Sequence, residues 1–327
     1  MLKQLQYECT NDYPKHRENI FALHMRNYDR LPDKRYDSQY IGNPYGEPLL
    51  GLCYDGETLV GQENYILQQA ACRGEILKCA MGVDTIVDPK YRVFYGVFKK
   101  LVELTMAELK DQTDFLYAFA NEESKKYYLK YFNWVITEKV GVYKKVISPS
   151  GLSKESLLAF VRPGKAYKDF NLVRIEQFES EPLNQIIRNH LKKADYSYFY
   201  KTPQLLQWRF LDNTFFKCEG YEIQDKNALR GYVVTLKDKG ELKVIDFLID
   251  EDDPDIFLRT IMSLAHSGSK QGLKRLVIYA TPGCWYLGTL KKLVFIKRWT
   301  IDFIAAPLKD KILPDNWVIN MGDFDVL

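Results

Sequence analysis

The feature that most limits what this chain can fold into is a spacing. Asn43 and Asn213 lie 170 residues apart, as do Leu59 and Leu229, and Gly61 and Gly231. Both places read as a loop, a strand, a polar turn, then Leu-x-Gly entering a second strand. A constant offset is what duplication of one structural plan leaves behind. Further on, Phe115-Leu116-Tyr117-Ala118-Phe119-Ala120 and Arg275-Leu276-Val277-Ile278-Tyr279-Ala280 are short apolar runs after helical patterns, as central strands are. The 327 residues exceed the usual single domain, and two domains of about 150 residues fit both length and repeat. Polar stretches at 148–154 and 162–165 break the periodicity, placing the boundary within 146–168 and giving domains 1–155 and 165–327.

In the first half the patterns predict strands near 48–54, 58–70, 75–87 and 115–120. Helices near 94–111 and 122–132 follow, then a strand near 139–146. The fold class is therefore α/β, with a mixed, mostly antiparallel sheet flanked by helices in each half.

Composition excludes several classes. No run approaches the roughly 18 apolar residues of a membrane helix. The opening MLKQLQYECTNDYPKH lacks an apolar core and a cleavage site, so a cytoplasmic protein without membrane attachment is expected. The six cysteines show no CxxC spacing and the four histidines no HxxxH spacing, so neither disulfides nor a metal is expected. With 46 basic and 43 acidic residues, the charge balance predicts no nucleic-acid partner. The 23 tyrosines serve either core packing or stacking on a base or sugar.

The segment richest in chemistry runs from Met81 to Leu101. A β-like run, Gly82-Val83-Asp84-Thr85-Ile86-Val87, stops at Asp88-Pro89, turns through Tyr91-Arg92-Val93-Phe94-Tyr95-Gly96, and enters an amphipathic helix at Val97. Proline cannot continue a central strand. A strand–turn–helix of this kind presents free backbone N–H groups at the positive end of a helix dipole, which suits a pyrophosphate. Downstream, Asn121-Glu122-Glu123-Ser124 opens a second helix carrying Tyr127, Tyr128 and Tyr131, followed by Asn133-Trp134.

These two segments resemble the acyl-CoA signature of the GNAT acyltransferase superfamily. The resemblance implies that Arg92, Val93, Phe94, Tyr95, Gly96 and Val97 wrap the phosphates of coenzyme A. It also implies that backbone groups at Ile86 and Val87 hold the pantetheine arm and polarise the thioester carbonyl. Asn121 and Ser124 then contact the cofactor, and Tyr128 protonates the departing thiolate, with Tyr127 and Tyr131 as competitors. The family's first loop glycine is absent: either Tyr95 replaces it or the loop is one residue longer. Asn133-Trp134 stands where the family has Gly-Phe. For a base, Asp84 and Glu63 lie on central strands, with His24 a further candidate on a helix.

In the second half the corresponding strand is followed by Asp250-Glu251-Asp252-Asp253-Pro254-Asp255, five carboxylates in six residues. Carboxylates repel a pyrophosphate and compete for helix amides, so this half is expected to be a substrate platform or structural partner. The layout resembles tandem-GNAT N-acyltransferases that act on dTDP-linked 3-amino-3,6-dideoxyhexoses in bacterial surface-polysaccharide pathways. That implies acyl-CoA as donor and a nucleotide-linked amino sugar as acceptor. Asn43 and Tyr45 would border the substrate cleft, and Trp208 and Arg209 stack a base and pair a phosphate, unless they pack the interior. A FemABX-like aminoacyltransferase, a protein or polyamine acetyltransferase, and a non-catalytic tandem-GNAT scaffold are the competing readings.

Overall fold

The computed structural model describes residues 5–28, 33–92, 96–148, 167, 169–308 and 312–325. Val93, Phe94 and Tyr95 of the expected phosphate loop, and most of the 146–168 boundary, lie outside the described residues. The chain forms two compact units. The first comprises Met1–Ala70, Ile76–Thr137 and Phe303–Leu313, and the second Ala71–Glu75, Glu138–Asp302 and Pro314–Leu327.

In the first unit, strand β1 (Gln6–Thr10) and helices α1 (Tyr13–Tyr28) and α2 (Asp33–Tyr40) precede three strands, β2 (Leu49–Asp55), β3 (Thr58–Cys72) and β4 (Glu75–Val87). Then come α3 (Pro89–Arg92), α4 (Gly96–Leu109), β5 (Phe115–Ala118), α5 (Glu122–Tyr131) and the start of β6 (Val135–Val146). Strands β1, β2 and β3 pair antiparallel, β4 follows β3, and β4 and β5 pair parallel around the α4 crossover. The strands and helices read from periodicity are present at nearly the expected positions.

Helix α4 is amphipathic and buries Val97, Leu101, Val102, Thr105 and Leu109 on one face. Its seat requires glycine. A Cβ at Gly61 would stand 3.1 Å from Val97 Cγ1 and 3.2 Å from Leu101 Cδ1, and one at Gly51 would strike Thr105. Gly231, the repeat partner of Gly61, is needed for a different reason: its φ is +139°, and a side chain there would collide with the Leu248 carbonyl.

The second unit repeats the plan. It contains β7 (Phe170–Ile175), α6 (Glu181–Lys193), β8 (Ser197–Phe199), α7 (Pro203–Leu206) running into a π-helical turn (Gln207–Leu211), and β9 (Cys218–Asp225). There follow β10 (Ala228–Asp238), β11 (Glu241–Ile249), α8 (Pro254–Lys270), β12 (Arg275–Ala280), α9 (Leu287–Lys292), β13 (Ile296–Pro307) and β14 (Trp317–Val318). Here β11 and β12 form the parallel pair around α8.

Each half of the sequence supplies the last strand of the other unit's sheet. The end of β13 pairs antiparallel with β5, from Ile304↔Ala118 to Pro307↔Phe115. β6 pairs antiparallel with β12, from Arg275↔Val146 to Ala280↔Gly141.

Candidate active site

The parallel ladder between β4 and β5 is short. It covers Cys79–Met81 against Phe115–Tyr117, while β4 runs on to Val87. Residues 82–87 of β4 therefore run past the ladder at the carboxyl ends of two parallel strands, the place where α/β sheets take ligands. Within this stretch Asp84 has φ +52°, a conformation that costs a non-glycine residue energy and persists only when its surroundings fix it. They do. Arg35 of α2 pairs with the Asp84 carboxylate, the Tyr40 hydroxyl donates to it across 2.7 Å, and Gln62 Nε2 donates to the Asp84 carbonyl across 2.9 Å.

Further along the chain comes the start of α4. Gly96 is exposed, a Cβ there would meet nothing within 4 Å, and the first turn carries no acidic residue. Lys99 and Lys100 are exposed on the same turn. A positive dipole end and two exposed lysines, of which Lys99 also lies 3.6 Å from Glu103, make an anion seat. Val97 itself is buried, so its contribution there is backbone only. Arg92 folds back on the strand: its Nε donates to the Val87 carbonyl across 2.7 Å and its guanidinium to Asn27 across 3.0 Å. Ile86 is buried and Val87 half-buried.

Helix α5 begins where β5 ends. Asn121 is its N-cap, accepting from the Glu123 and Ser124 amides at 3.0 and 2.9 Å, while Ser124 Oγ donates to Asn121 Oδ1 at 3.1 Å. The helix ends at Phe132, and Asn133 has φ +58°. Asparagine tolerates that left-handed conformation better than any residue except glycine, which accounts for Asn-Trp where a Gly-Phe would serve.

Of the three tyrosines on α5, only Tyr128 points inward. Tyr127 and Tyr131 are 44% and 46% exposed and stack on each other, whereas Tyr128 is buried with its ring 4.6 Å from Trp134 and 5.4 Å from Phe98. Its hydroxyl donates to Glu63 Oε1 across 2.6 Å and lies 3.3 Å from Thr85 Oγ1. Glu63 has no solvent exposure, and its second oxygen, Oε2, is buried without a hydrogen-bond partner among the described residues. Burial pushes the Glu63 carboxyl up to about 7, against the opposing influence of the neighbouring Thr85, Tyr128 and Tyr65 hydroxyls. Burial and the adjacent Glu63 charge hold Tyr128 well above the usual phenol range, so it stays a proton donor.

The remaining candidates have other occupations. Asp84 is engaged by Arg35 and Tyr40. His24 Nδ1 shares a 2.9 Å hydrogen bond with the Tyr36 hydroxyl. Asn43 holds a turn, donating to the Leu67 carbonyl and accepting from the Tyr45 amide, and Tyr45 is half-buried. In the second unit Arg209 is buried and donates to the Phe324 carbonyl, beside a half-buried Trp208. Sequence reading passed over Thr85, Arg35, Tyr40 and Gln62. A usable signal was present: Gln62-Glu63-Asn64 are three successive polar residues in the middle of an apolar strand, and all are fully buried.

The matching helix start in the second unit is filled by the chain itself. Asp253 caps α8, its Oδ1 accepting from the Asp255 and Ile256 amides at 2.9 and 3.3 Å.

The sequence matches no protein-family model and no curated protein. Solved structures do match. A GCN5-related N-acetyltransferase from Anabaena variabilis superposes with a TM-score of 0.68 at 10% identity, over 93% of this chain and 73% of that one. A probable N-acyltransferase from Enterococcus faecalis gives 0.70 at 11%, with the same coverage. Saccharomyces cerevisiae N-myristoyltransferase with bound myristoyl-CoA gives 0.61 at 11%, over 100% of this chain and 86% of that one. The chain thus has the fold of the GCN5-related N-acetyltransferases.

Proposed function

We propose that this chain is an acyl-CoA-dependent N-acyltransferase whose acceptor is the amine of a nucleotide-linked amino sugar, such as a dTDP-3-amino-3,6-dideoxyhexose. The observation that carries the transferase reading is the buried Glu63–Tyr128 pair in the unit whose β4–β5 ladder opens ahead of the α4 anion seat. The neutral amine attacks the thioester carbon, and backbone N–H groups of β4 stabilise the oxyanion. Glu63 takes the ammonium proton on Oε2, and Tyr128 gives its own to the departing thiolate. Rotation of the protonated Glu63 carboxyl then brings that proton to the Tyr128 oxygen and restores both groups, so no proton is gained or lost. The amino-sugar acceptor rests on the resemblance in layout and on the second unit's self-filled helix start, which leaves that unit for acceptor rather than donor.

The test is transfer of radiolabelled acetyl from acetyl-CoA to dTDP-amino sugars, run beside peptides with a free N-terminus. A peptide acceptor is the second reading, favoured by the N-myristoyltransferase likeness across the whole chain. Labelled sugar supports the first reading and labelled peptide the second; turnover of neither acceptor contradicts both.

A further inference from the structure

The second unit contains a partly open cavity of about 40 Å³ that the proposed reaction does not use. Helix α6, strands β8, β10 and β11 and the C-terminal segment supply its walls. That volume holds a few water molecules, at about 10–15 Å³ each, or one small polar group. It is too small for a nucleotide.

Its charges do not balance. Lys201 Nζ lies 3.2 Å from Asp246 and 2.5 Å from Asp323, so one buried cation serves two buried carboxylates. Tyr232 and Asn320 each donate to Asp246 across 2.8 Å, and the Asn320 amide donates to Asp323 across 2.7 Å. A third carboxylate, Asp252, receives among the described residues only the Tyr196 hydroxyl, 2.9 Å from each oxygen, with His190 Nδ1 3.9 Å away. Burial pushes His190 down to about 4, so it supplies no charge at neutral pH. Lys193 on the same helix pairs outward with Glu251. At neutral pH three carboxylates thus face one lysine. The wall also includes the rings of Tyr196, Tyr198 and Trp285, and the buried Tyr198 hydroxyl has no hydrogen-bond partner among the described residues.

Anionic groups, aromatic faces and an unused hydroxyl are the chemistry that recognises an organic cation. A metal ion fits less well: among the described residues no three His, Cys, Asp or Glu side chains converge to hold one. We propose that this cavity binds a primary ammonium group, the terminus of an alkylamine. The ammonium donates to Asp252 and to Tyr198 and lies against the aromatic wall. The site stands apart from the acyl-transfer reading, because its occupancy needs no donor.

The test is a titration of the full chain with methylammonium chloride at constant ionic strength, read by tryptophan fluorescence with Trp285→Phe assigning the signal. Sodium chloride is the comparator. The expected result is a saturable response to methylammonium alone, weakened about tenfold in Asp252→Asn and several-fold in Tyr198→Phe, as for hydrogen bonds to a charged group. Tyr198→Phe removes a hydroxyl on which no internal bond depends, so the test survives if Asp252→Asn fails to fold. Between pH 7.5 and 5 binding should fade, because burial has raised both Asp252 and Asp323 to about 6. A sodium response equal to that of methylammonium, or unchanged affinity in every variant that folds, overturns the proposal.

Discussion

The Tyr128 hydroxyl donates to Glu63 across 2.6 Å, which joins a proton donor on α5 to a buried carboxyl on β3. The two residues are 65 positions apart in sequence, and each is buried to within a few per cent of completely. An acid and a base held in one hydrogen bond can exchange the proton that amide formation moves from nitrogen to sulfur.

Tyr128→Phe removes the donor and leaves the ring. The expected outcome is a fall in kcat of about 100-fold or more, the usual worth of a positioned acid. Affinity for CoA should stay within about threefold, since general acid catalysis acts after binding. Steady-state kinetics together with a CoA titration check both halves. A matching loss of CoA affinity would instead mark Tyr128 as a packing residue.

Glu63 sets the pH dependence. As a base it works deprotonated, so kcat/KM should rise tenfold per pH unit below about 7 and level off above it. In Glu63→Gln the slope should vanish along with most of the activity.

The same carboxyl governs stability. A folded-state pKa raised above the unfolded one means that the native state binds the extra proton. Its stability contribution is then complete below the ordinary carboxyl range and is lost as pH rises through about 7. Wild type should therefore lose about 3 kcal/mol, to order of magnitude, between pH 4.5 and 8 from this group, by 1.36 kcal/mol per pKa unit. Glu63→Gln should lack that loss. Urea denaturation of both proteins at the two pH values tests it, and parallel pH dependences would contradict the assignment.

Much of this was legible in the sequence. The strand and helix pattern and Pro89 just past the end of β4 follow from local rules, and Tyr128 was singled out by the family resemblance, with Tyr127 and Tyr131 as competitors. Glu63 was visible as a candidate, but ranking it against Asp84 needed tertiary structure. Only there does Arg35 pair with Asp84 and leave Glu63 with an open oxygen. The strand exchange was not legible at all. β6 and β13 carry ordinary alternating patterns, and nothing local states which sheet they join. Nor did Arg209 reveal from sequence that its partner is a main-chain carbonyl 115 residues away.

Asn133 offers a check on the local backbone. Asn133→Gly should be nearly neutral, whereas Asn133→Val, β-branched at φ +58°, should destabilise the fold by about 1–2 kcal/mol. Thermal unfolding of the two variants distinguishes this from a role for the Asn133 side chain, which would make both substitutions costly.

Calorimetric titration with acetyl-CoA of the wild type and Gly96→Asp tests the central claim most directly. Gly96 is exposed with open space around it, so the substitution leaves folding intact while placing a negative charge in the anion seat. The account predicts one site per chain, because Asp253 fills the second unit's helix start, and a fall in affinity of tenfold or more in the variant, consistent with charge repulsion of about 1.4 kcal/mol. No saturable binding by the wild type, or equal binding by both proteins, would contradict it.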